Sequence, residues 1–210
     1  MGFLSRIAAT ALTVAFVGGG YQYVRTHRLP SVRPILAATS TADRNGLEHF
    51  SPAENLERLE MAQLSAAAEQ ARRSNIPLKI AMYAFTDRAL AELLIQEVDR
   101  GTVVELYRDG EQYENEKRNA ARFRDRSTTE LLRGHRNLHI RVKPASRSDL
   151  MHLKAWSDGT LLREGSANWS PAALKRQDNN LRFTTNGEEV RSFLTTFAAI
   201  WKRPANLVIQ

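Results

Sequence analysis

His152-Leu153-Lys154 sets an imidazole and an ammonium two residues apart, and Gly165-Ser166-Ala167-Asn168 follows a short turn later. On a β-strand, side chains two apart share a face, so His152 and Lys154 point the same way while Leu153 and Ala155 face the other layer. Such a pair suits a phosphodiester. The ammonium holds non-bridging oxygens while the imidazole attacks phosphorus or moves a proton. Ser166 and Asn168 offer a hydroxyl, an amide and a turn of backbone N–H donors to the same phosphate. A lone strand histidine usually packs in a core; Lys154, Ser166 and Asn168 shift His152 toward chemistry. Asp158 is a further catalytic candidate, although Asp158-Gly159 is also accounted for by hairpin geometry alone.

The elements that position these groups follow from periodicity. Residues 150–157 and 160–164 form the hairpin, with further strands at 76–85, 103–107, 139–142 and 181–184. Thr86 opens a helix over 87–100 that puts Leu90, Leu93, Leu94 and Val98 on one face before Gly101 ends it. Strand, helix and strand there form a right-handed α/β crossover. Ser51-Pro52-Ala53-Glu54 reads as a capping box with proline at the first helical position, ahead of an apolar stripe through Leu56, Leu59, Leu64 and Ala68. A charged helix is expected over 112–132 and an amphipathic one over 188–202. The pattern predicts an α/β domain at 51–210, a mixed β-sheet sandwiched between helices.

The 210 residues, 42% apolar and 25% charged, suit one compact domain with an appendage. No cysteine is present, which excludes a disulfide framework, a thiolate zinc site, an iron-sulfur cluster and a cysteine nucleophile. No H-E-x-x-H and no acidic cluster with ligand spacing occurs, so neither metal nor cofactor is expected. The net charge of +7 is concentrated. From Lys117 to Arg147, ten basic residues meet only Asp125 and Glu130, which favours a nucleic-acid backbone, with anionic phospholipid headgroups as the other candidate partner. Residues 7–20 are free of charge, and the stretch 3–24 is long enough to tether the chain to a membrane. Residues 1–28 therefore read as a signal anchor or signal peptide, and 29–50 as a linker. This places the domain at a bacterial-type cell envelope, membrane-anchored, periplasmic or secreted.

H-x-K with a downstream Asp, followed by G-S-x-N, resembles the signature of the phospholipase D superfamily. The likeness extends over about residues 51–203 and is nearest to single-motif members, the small bacterial endonuclease and its membrane-anchored mitochondrial relative. It implies a phospholipase D-like fold, a metal-independent phosphodiesterase and a phosphohistidine intermediate. It further implies catalytic roles for His152, Lys154 and Asp158, and phosphate binding by Lys154, Ser166 and Asn168. Two departures stand out. Three residues separate Lys154 from Asp158 where the family has four, a deletion the Asp158-Gly159 turn absorbs. Asn179 occupies the position of the carboxylate that orients the histidine. Since the superfamily's chemistry uses two histidines and this chain holds one such motif, the resemblance implies a homodimer. The leading expectation is a nuclease on DNA or RNA. Its rivals are a phospholipase D or phosphatidyl transferase on anionic lipid, and a catalytically weakened module that binds such polyanions without cutting them.

Overall fold

In the computed structural model, residues 46–210 are described, so the expected N-terminal hydrophobic helix, the anchor at 3–24 and most of the linker lie outside the described residues. The described elements run β1 (Glu48–Ser51), α1 (Leu56–Ser74), β2 (Leu78–Met82), α2 (Arg88–Asp99), β3 (Val104–Arg108), α3 (Gly110–Arg122), α4 (Thr128–Leu132), β4 (Leu138–Val142), β5 (Lys154–Ser157), β6 (Leu162–Gly165), α5 (Pro171–Lys175), β7 (Asn179–Thr184), α6 (Gly187–Trp201) and β8 (Leu207–Ile209). The strands form one sheet in the order β1-β7-β6-β5-β2-β3-β4-β8. β2, β3 and β4 are parallel, as the crossover requires, while every other pairing is antiparallel. The mixed sheet packed between helices matches the expected α/β class.

Strand alternation sorts the core into two layers. Leu78, Ile80 and Met82 of β2, with Trp156 of β5, face a cluster built with Leu64 and Ala68 of α1, Leu90 and Leu94 of α2 and Tyr113 of α3. Ala81, Tyr107 and Ala155 face the other way, onto Val190, Phe193, Phe197 and Ile200 of α6. Opposite faces of the sheet therefore carry α3 and α6.

Three local expectations change. Ser51 does not cap α1; it ends β1, and its hydroxyl donates to the Gln177 carbonyl at 2.6 Å. Asn55 is the cap, accepting the Arg58 N–H at 3.1 Å, so β1 occupies the end of the expected linker and α1 starts later. The helix expected over 112–132 is two helices. Arg124 takes a left-handed backbone (φ 54°), and the Ser127 hydroxyl caps α4 by accepting the Glu130 N–H. β8, which pairs with β4, lies past the helix expected over 188–202 and adds a strand to those expected.

Candidate active site

His152 and Lys154 meet at the C-terminal ends of the parallel strands β2 and β3, where an open α/β sheet most readily admits a ligand. The regular strand begins only at Lys154, because its neighbour β2 ends at Met82. His152 precedes it and is fixed from both sides. Asp109, the N-cap of α3, accepts the Met151 N–H at 2.8 Å, and the Leu153 carbonyl accepts the Tyr83 N–H at 2.9 Å. Alternation survives this irregularity. Lys154 Nζ stands 3.3 Å from His152 Nε2 and donates to the His152 carbonyl at 2.8 Å.

Tyr83 completes the pair. Its ring meets the His152 ring edge-on at 4.5 Å and lies 5.0 Å beneath Lys154 Nζ, while its hydroxyl accepts a hydrogen bond from Gln112 Nε2 at 2.9 Å. Sequence periodicity placed Tyr83 in a strand and gave no signal of this role. Partial desolvation and the neighbouring Lys154 charge hold His152 below the usual imidazole value, with Asp109 opposing them, so the ring is neutral near pH 7. Lys154 is buried, and burial, helped by Arg163, lowers its ammonium to about 8. The site thus holds a neutral ring nitrogen beside a cation that is easily discharged.

The Gly-Ser-Ala-Asn turn arrives beside the same strand ends, through the Trp169 N–H to Ala84 carbonyl bond of 3.1 Å and the Phe85–Trp169 bridge. Asn168 Oδ1 accepts the Ala84 N–H at 3.2 Å, which leaves its NH₂ group without a partner among the described residues. Any side chain at Gly165 would force a shift: an added Cβ would sit 2.4 Å from the Asn180 carbonyl oxygen, and φ is +150°. Asn179 corrects an expectation. Its Oδ1 accepts from the Ser166 hydroxyl at 2.9 Å and its Nδ2 donates to the Ala173 carbonyl at 3.2 Å, so it orients Ser166 rather than His152. Asp158 is likewise not brought to the pair. It lies beyond the other end of β5, roughly 13 Å along the strand from Lys154, and its Oδ1 accepts from the N–H and hydroxyl of Thr160 and the N–H of Leu161.

Beneath the site lies a network the sequence did not disclose. Glu60 of α1, fully buried, accepts from the indoles of Trp156 (2.6 Å) and Trp169 (2.8 Å) and from Arg163 Nε (2.8 Å). Arg163 in turn donates to the carbonyls of Lys154 (2.6 Å) and Ala167 (3.0 Å), joining the His-Lys strand to the Gly-Ser-Ala-Asn turn. Both tryptophans are spent in this packing and are not free to stack on a substrate. Beside His152 and Lys154 a cleft of about 580 Å³ opens, with Leu153, Leu162 and Phe193 as apolar lining and Glu164, Glu188 and Glu189 as acidic lining. Among the described residues no His/Cys/Asp/Glu group is placed to hold a metal ion.

Comparison with known proteins agrees with this architecture. The chain is similar to NucT from Helicobacter pylori (20% identity, TM-score 0.61, covering 78% of this chain and 98% of that one). It is also similar to Nuc, a phospholipase D family member from Salmonella typhimurium (17% identity, TM-score 0.59, covering 79% and 98%). Phosphatidylserine synthase from Haemophilus influenzae shares the fold at 15% identity and a TM-score of 0.53, over 78% of this chain and 40% of that one. A search of curated proteins returned no match. The family model described as cardiolipin synthase, PLD-like domain matches residues 65–201, which contain β2 through α6 and the whole His-Lys and Gly-Ser-Ala-Asn constellation. By that match and the shared fold, the chain belongs to the phospholipase D superfamily.

Proposed function

We propose that the protein hydrolyses phosphodiester bonds of nucleic acid through a phosphohistidine on His152. The observation that carries this reading is the 3.3 Å approach of Lys154 Nζ to His152 Nε2, with the ring neutral and the ammonium charged near pH 7. In the proposed step the neutral imidazole attacks phosphorus, a P–N bond forms and a P–O bond breaks, and Lys154 and the Asn168 NH₂ hold the non-bridging oxygens. The leaving oxygen takes a proton from His152 of the partner subunit, and water then cleaves the P–N bond with that same ring as base. The pair shares one proton, so its titration belongs to the dimer rather than to either ring. A homodimer suits the exposed apolar residues Leu150 and Leu153 on either side of His152. The apolar stretch 3–24 would tether the domain to the cell envelope; among the described residues no helix is long and apolar enough to cross a membrane.

One observation favours a second reading, hydrolysis or transfer on an anionic phospholipid: the lining of Leu153, Leu162 and Phe193 beside the pair offers apolar surface to a lipid. The test is incubation of the full chain and its His152→Ala form with labelled DNA, labelled RNA and phosphatidylglycerol vesicles, in chelator. Cleavage of nucleic acid by the unsubstituted protein alone is expected. Cleavage of lipid alone transfers the assignment to the second reading. No cleavage of any substrate between pH 5 and 8 would leave a binding module. Sedimentation at assay concentration checks the dimer, which a purely monomeric boundary would refute.

A further inference from the structure

Phe123 is the most exposed large apolar side chain among the described residues, at 83%. It is not a loose end. As C-cap of α3 its N–H donates to the Ala120 carbonyl at 3.0 Å, and the left-handed Arg124 N–H donates to Ala121. The turn beyond is held by Arg88, which binds the Asp125 carboxylate and the Arg126 carbonyl, and by Arg126, which binds the Glu130 carbonyl. The turn's acid is thereby neutralised. Among the described residues neither Arg122 nor Arg124 forms an ion pair, so an exposed apolar residue stands in the chain between two exposed arginines whose charges are uncommitted.

This tip is connected to the active site by a single helix. Asp109 caps α3 and fixes Met151, Gln112 one turn later holds Tyr83, and the thirteen residues of α3 then run about 20 Å to the tip. Arg118 and Arg122, four apart and exposed, lie along one side of it. On the opposite face of the sheet the site is bordered by Glu164, Glu188 and Glu189, of which Arg182 binds only Glu164 and Glu189. A polyanion is repelled by the acids on the α6 side; along α3, Glu111 and Glu114 stand in the half nearer the site and Lys117 pairs with Glu114, so the attraction comes from Arg118, Arg122 and Arg124 toward the tip.

Resting on the nuclease reading, we infer that a single-stranded nucleic acid whose phosphodiester lies at His152 and Lys154 follows α3 and stacks an unpaired base on Phe123. Base stacking on an aromatic ring flanked by arginines is the usual means of gripping a single strand without regard to sequence. The thirteen residues of α3 put the tip roughly 20 Å from the helix start beside the site, a length one polymer spans, whereas one lipid headgroup fills only the phosphate site.

The test uses the full chain in a His152→Ala background, with a fluorescent single-stranded oligonucleotide and, separately, phosphatidylglycerol vesicles. Phe123→Ala should weaken oligonucleotide binding about tenfold, and Phe123→Trp should restore it. Arg122→Ala and Arg124→Ala should each reduce the slope of log affinity against log salt by about 0.7. Unchanged oligonucleotide affinity in Phe123→Ala, or a loss seen with vesicles alone, would overturn the inference. Cleavage of a small chromogenic phosphodiester by the unsubstituted protein reports on the catalytic reading separately, so each idea can fail without the other.

Discussion

Lys154 Nζ and His152 Nε2 lie 3.3 Å apart over the edge of the Tyr83 ring, with the same ammonium bonded to the His152 carbonyl. One cation therefore both fixes the backbone of His152 and lowers the proton affinity of its ring. That double contact makes the pH response of the site depend on Lys154.

Lys154 is charged below about 8 and loses its proton above it. Phosphate binding should weaken as pH rises through that value, giving kcat/KM for a phosphodiester an alkaline limb near 8. His152 is held below its ordinary value, so it stays neutral to lower pH than a free imidazole. A Lys154→Arg variant, whose charge persists above pH 12, should lose the alkaline limb in a pH profile of its residual activity. A limb that stays in place would show that Lys154 does not set it.

Asp158 is expected to act on the turn and not on the phosphate. Asp158→Asn keeps the Oδ1 acceptor for Thr160 and Leu161, so single-turnover cleavage should remain within a few-fold of the unsubstituted rate. Lys154→Ala should lose at least about 100-fold in the same assay. Equal losses in the two variants would restore a catalytic role to Asp158.

Breaking the buried pair beneath the site should be costly. Glu60→Gln leaves Arg163, fully buried, without its counter-charge, and a loss of about 3–5 kcal/mol is expected in urea unfolding. Replacing both partners by Glu60→Leu with Arg163→Met removes the unpaired charge but strands the indole N–H groups of Trp156 and Trp169 and the carbonyls of Lys154 and Ala167, so it should recover only part of the stability and none of the activity. Recovery of both would mean that the network only fills space.

Gly165→Ala forces a methyl group against the Asn180 carbonyl at 2.4 Å and strains a φ of +150°. The β6–β7 pairing must shift, and with it the Ser166 N–H bond to Asn180 Oδ1 of 2.9 Å. A destabilisation of about 1–3 kcal/mol with a fall in kcat is expected. Unchanged thermal stability would show that the strand pair yields more easily than its backbone contacts suggest.

Local pattern, by itself, determined which side chains could meet within one short stretch. The period of a strand carried His152 and Lys154 to one side although the regular ladder starts only at Lys154, and Asp158-Gly159 forms the turn that leads into β6. Hydrophobic spacing likewise announced α1, α2, α6 and the parallel crossover, because each depends on neighbours within a few residues. Partners distant in sequence were decided by the tertiary structure. Glu60 reaches Trp156, Arg163 and Trp169 across about a hundred residues, and Asn179 turned to Ser166 rather than His152 because β7 lies beside β6. The run of ten basic residues was visible as charge. Folding then committed Arg126, Arg133, Arg141 and Lys143 to internal partners and left Arg122 and Arg124 at the tip of α3. A sequence fixes how side chains alternate and how much charge they bring, but only the packed sheet determines which charges are consumed and which remain to meet a substrate.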